Sequence, residues 1–80
     1  MTISLTASDT AMRNWPVIVG NNVRRLRLKR DLTQEQLAFE AGIDLTYLGA
    51  IERGRRNPSL MVMVRIADAL SVAPVELLKV

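Results

Sequence analysis

Arg53, Arg55 and Arg56 stand in the run RGRRNP at positions 53–58, and Arg24, Arg25, Arg27, Lys29 and Arg30 crowd a second short run. The two clusters hold eight of the eleven basic residues of an 80-residue chain whose net charge is only +3. Clustered Lys and Arg attract polyanions, because neutralising phosphates releases their condensed counterions. A solvated helix face is the plainer explanation for either cluster taken alone. Other chemistry is poorly provided for. The chain has neither His nor Cys, so the usual zinc ligands, a disulfide framework and a nucleophile–base pair are all missing. No enzymatic activity, metal or cofactor is expected. No apolar run approaches the roughly 20 residues that span a bilayer, and the stretch to Trp15 lacks the basic start and apolar middle of a signal peptide. The expected location is the cytoplasm, with no membrane partner and no evident small-molecule effector.

The basic runs must be positioned by helices. Apolar residues make up 49% of the chain, with only Trp15, Phe39 and Tyr47 as aromatics, and an aliphatic core of this kind suits helices packed through Leu, Ile, Val and Ala. Residues 1–14, rich in Ser and Thr, read as a mobile arm, and 15–80 as one domain. Pro16 fits a first helical turn, and Val19, Val23 and Leu26 then recur at helical spacing, which predicts a helix over about 16–30. Thr33 and Gln36 form a capping-box pattern that starts a second helix, and Gly42 ends it in the left-handed conformation. Asp44 caps a third helix over about 45–52, and Ser59 a fourth, with Leu60, Met63, Ile66, Ala67 and Leu70 facing inward. Pro74 opens a short last helix ending near Lys79.

Two short helices joined by a tight glycine turn describe a helix-turn-helix, whose second helix enters the major groove while the first lies across the backbone. Ala38 supplies the small residue where the helices cross, Gly42 makes the turn, and Leu37, Ala41, Ile43, Leu48 and Ile51 fill the interior corners. The runs NVRRLRLKRDLTQEQLA, AGIDLTYLGAIERGRRNPSL and RIADALSV resemble, in order and spacing, those of the Cro/C1-type helix-turn-helix proteins, or XRE family, which include phage repressors. Within that family TYLGAIERGRRNPS is similar to the controller proteins of restriction–modification systems. The resemblance implies an all-α, five-helix, lambda-repressor-like domain that binds a double-stranded DNA operator as a homodimer and regulates transcription. It implies that Gln34 bonds a phosphate with the N–H groups of its helix end, that Thr46, Tyr47, Gly49 and Ala50 face the bases, and that Arg53, Arg55, Arg56 and Asn57 line the DNA backbone. It also implies that Arg27 pairs with Glu52.

The chain departs from the family pattern on its groove-facing helix, where Leu45, Thr46, Gly49 and Ala50 occupy positions that often hold Arg, Gln or Asn. No bidentate base reader is visible there. Methyl contacts to thymine, a Thr hydroxyl and DNA shape must then carry selectivity. Tyr47 either packs its ring at the core edge or donates to a phosphate. Gly49 costs its helix about 1 kcal/mol relative to Ala, which close approach of DNA would explain; neutral drift is the alternative. Met61 and Val64 fall off the inward stripe and, with Val75, Leu78 and Val80, form an exposed apolar patch of the kind that marks interfaces. The patch fits dimerisation. The alternative is an antitoxin or adaptor that binds a partner protein through its last two helices.

Overall fold

The computed structural model describes residues 13–80. Most of the arm expected over 1–14 lies outside the described residues. Within that arm, Asn14 caps the first helix, its Oδ1 accepting from the Val17 N–H at 3.3 Å. Helix α1 then runs Trp15–Lys29 with Pro16 in its first turn. Gln34–Ala41 forms α2, Leu45–Glu52 forms α3 and Leu60–Ala69 forms α4. No strand occurs among the described residues.

The sequence specifies most of these boundaries by capping. Thr33 Oγ1 accepts from the Gln36 N–H at 3.0 Å while Gln36 Oε1 accepts from the Thr33 N–H at 2.8 Å. That reciprocal pair satisfies two N–H groups which a helix start otherwise leaves without partners. Asp44 and Ser59 cap α3 and α4 through the N–H groups of Tyr47 and Val62. Gly42 closes α2 at φ +68°, where the Ile43 N–H reaches back to the Ala38 carbonyl at 3.0 Å. Gly54 repeats the device after α3, at φ +72°. Arg55 and Gly54 there donate to the Ala50 and Ile51 carbonyls, both at 2.9 Å, in the paired pattern that ends a helix on a left-handed residue.

The core is wholly aliphatic. Val19, Val23 and Leu26 from α1, Leu37, Ala38 and Ala41 from α2, Leu48 and Ile51 from α3, and Ile66, Ala67 and Leu70 around α4 are buried together with Leu77. Helix α1 packs against α3 and against the C-terminal turn, and α2 packs against both α3 and α4. At the α1–α3 crossing, Gly20 is buried with no room for a side chain. A Cβ there would run into the Ile51 carbonyl oxygen and stand 2.9 Å from that of Glu52.

Two expectations need correction. The fifth helix is a five-residue 3-10 turn, Pro74–Leu78, so the described residues hold four α-helices rather than five. Five residues cannot offset the cost of nucleating an α-helix, and Ala73 supplies no side-chain cap. Leu60, expected to face inward, is 70% exposed. It precedes Ile66 by six residues, about 120° off that residue's face at 3.6 residues per turn, and Val62 packs on the core with Met63 instead.

Candidate nucleic-acid interface

Glu52, the last residue of α3, is the junction on which the orientation of that helix depends. Arg27 Nε donates to Glu52 Oε2 at 2.7 Å and Arg27 Nη2 to Oε1 at 3.0 Å, a planar two-point match between guanidinium and carboxylate. The third edge of the guanidinium is used too, since Nη1 donates to the Leu32 carbonyl at 2.8 Å. Gln34 Nε2 also donates to Glu52 Oε1, at 3.0 Å. One carboxylate thus joins α1, the start of α2 and the end of α3. Both members of the ion pair are buried, and the bond to Glu52 holds the Arg27 guanidinium above its ordinary range against the opposing effect of burial. Arg27 is therefore a structural member of the first basic cluster, while Arg24, Arg25, Lys29 and Arg30 are exposed.

The outer face of α3 carries Leu45 and Thr46, both exposed, with Ala50 half-buried. Tyr47 is half-buried with its side chain packed against the core, which is the first of its two alternatives. Gly49 is buried. What covers it is side chain: a Cβ at that position would stand 3.2 Å from Arg53 Nη1 and 3.8 Å from Gln34 Oε1. Beyond the helix, Arg53, Arg55, Arg56 and Asn57 are all exposed. The Gly54 closure sets that loop against α1, with the Val17 side chain 2.7 Å from where a Gly54 Cβ would lie.

Gln34 is half-buried at the first position of α2. One of its two amide hydrogens is committed to Glu52, and as at any helix start the first N–H groups of α2 lack partners within the helix. On the far side, Met61, Val75, Leu78 and Val80 are exposed and Val64 is half-buried. The 3-10 turn bearing Val75 and Leu78 is tied to α1 by buried Asn22. Its Nδ2 donates to the carbonyls of Leu77 and Lys79 at 2.9 and 2.8 Å. Sequence reasoning passed over both Asn22 and Gly20. A polar residue on the inward stripe of an amphipathic helix was the available signal for Asn22, but for Gly20 the chain offered none.

The profile of the family described as Helix-turn-helix matches residues 23–77. The chain belongs to this family. The control protein C.BamHI of Bacillus amyloliquefaciens is 46% identical over 66 residues, covering 81% of this chain and 82% of that protein. Among solved structures, the restriction-modification controller protein C.AhdI from Aeromonas hydrophila superposes with a TM-score of 0.76 at 45% identity, over 78% of this chain and 94% of its own. C.Esp1396I, solved bound to a 25 base pair operator site, matches with a TM-score of 0.72 at 32% identity, over 79% of this chain and 83% of that one. The helix-turn-helix of this chain is α2, the Gly42 turn and α3. Among the described residues, no helix is long and apolar enough to cross a membrane.

Proposed function

We propose that this chain is a sequence-selective, double-stranded DNA-binding regulator of transcription that acts in the cytoplasm as a homodimer, with one α3 in the major groove of each half-site. The observation that carries this reading is the pairing of a small, largely uncharged α3 face with an exposed run of arginines at its end, both held by the Glu52 junction. A reading helix presents side chains to base edges in the major groove, and the phosphates flanking the groove need cations beside it. Gln34 and the start of α2 hold one phosphate; Arg55, Arg56 and Asn57 hold others. Thr46 and Ala50 meet the base edges, Tyr47 sits at the margin with its ring on the core, and Gly49, buried beneath side chain, lies on the same face without reaching a base itself. The similarity to the control protein C.BamHI and to the restriction-modification controller protein C.AhdI supports regulation of the controller kind. We assign the chain no enzymatic activity.

The exposed Met61, Val75, Leu78 and Val80 and the half-buried Val64 support the second copy, since they are apolar residues in and beside two elements, α4 and the 3-10 turn, that pack together. Footprinting on DNA flanking the chain's own gene tests the reading. A protected, approximately palindromic site is expected, and protection that is equal on all sequences would contradict it.

A further inference from the structure

The outer face of α3 lacks an evident base reader, yet it holds a buried glycine at its centre. Side chains on a helix lean toward its N-terminus, and Arg53 lies four residues after Gly49, one turn along the same face. Its Nη1 would be only 3.2 Å from a Cβ at position 49, and its Cζ 4.0 Å. The guanidinium therefore lies back over the middle of α3. A side chain at 49 would crowd it, so the glycine makes the seat. Gln34 Oε1 flanks the same spot, 3.8 Å from that Cβ position. Arg53 is exposed, and the described residues place no carboxylate within salt-bridge reach of it.

We propose that Arg53, laid back over Gly49, is the side chain with which α3 reads a guanine in each half-site. The proposal rests on α3 being the reading helix. Arginine offers two parallel N–H groups that match the O6 and N7 acceptors of guanine in the major groove, a pattern that no other base presents. Folding back by one turn carries those donors about 5 Å toward the N-terminal part of α3, the end that a reading helix presents to base edges. Gly49, which costs the helix about 1 kcal/mol, is thereby given a use on the protein's side of the interface. Arg55 and Arg56 remain phosphate ligands, without sequence information.

The test is selection from a pool of duplexes with a randomised centre, using the full chain and its variants R53A, R53K, R55A and G49A, followed by affinities on the selected and on random DNA. The wild-type chain is expected to enrich a dyad-symmetric site with a G·C pair in each half. R53A and R53K should lose about 10- to 100-fold in the ratio of selected to random affinity, because lysine keeps the charge and cannot make the paired contact. R55A should weaken both affinities and leave the ratio within about twofold. G49A should fold at least as stably as the wild type yet lose part of the guanine preference. If the wild type enriches a site and either R53A or G49A keeps the full preference, the assignment of Arg53 is overturned while α3 keeps its role. If the wild type enriches no site, α3 loses that role and Arg53 with it.

Discussion

Glu52 accepts from donors on both α1 and α2, so its removal strands Arg27 in a buried position with only the Leu32 carbonyl to face. Uncompensated buried charges cost about 3–5 kcal/mol. Glu52→Ala is expected to lower stability by that amount in urea titration, and a variant that kept its melting temperature but lost DNA binding would contradict the structural role. Because the Arg27 pKa is raised on folding, the arginine's contribution is fully present below its unfolded value and lost only as pH rises through the folded one, in strongly alkaline solution. Thr46→Ala is expected to cost about 1–3 kcal/mol on the operator and nothing on random DNA. Arg55→Ala, by contrast, should weaken both and reduce the salt slope by about one unit, as titrations at several salt concentrations would show. The Arg27–Glu52 pair could be anticipated from the chain because both residues sit in runs shared with a known family. The seating of Arg53 over Gly49 could not, since it depends on a rotamer and on the approach of Gln34 from another helix.

Four of the helical elements end on a left-handed residue, but only two of those residues are glycines. Asp31 and Ser71 hold φ of 56° and 57° and make the same closing bonds, Leu32 N–H to the Arg27 carbonyl and Val72 N–H to the Ala67 carbonyl, at 3.1 and 3.0 Å. An L-residue in this conformation carries about 1–2 kcal/mol of strain, partly offset in any replacement by the greater unfolded-state freedom of glycine. Ser71→Gly should stabilise the domain by about 0.5 kcal/mol in chemical denaturation; a destabilised variant would mean that the serine side chain contributes more than the strain it imposes. The caps at Thr33, Asp44 and Ser59 were legible because capping is local chemistry. Leu60 was misplaced because the period of a ten-residue helix leaves its first turn ambiguous, and the last element because five residues after a proline carry no period at all. Gly20 was invisible for a different reason. Its cause is a backbone 31 residues away, the Ile51 carbonyl oxygen.

Among the described residues, the two proposed working surfaces are the α2–α3 face with its arginine loop and the exposed apolar residues Met61, Val75, Leu78 and Val80. Asn22 anchors the segment bearing half of those apolar residues to the helix that also anchors α3. Asn22→Leu would leave the Leu77 and Lys79 carbonyls unpartnered. The folded monomer should persist, weakened by about 1–3 kcal/mol, while dimerisation falls in sedimentation equilibrium. Met61→Glu should do the same without the loss of stability. Selectivity should also reach base pairs the protein never touches, through the energy of bending or narrowing the groove between half-sites. The most direct measurement of the central claim is a hydroxyl-radical footprint on the selected duplex. Two copies of α3 in successive major grooves predict two protected half-sites related by a dyad, their centres about 34 Å or one helical turn apart. A single unsymmetrical footprint, from a protein that sediments as a monomer at the same concentration, would contradict it.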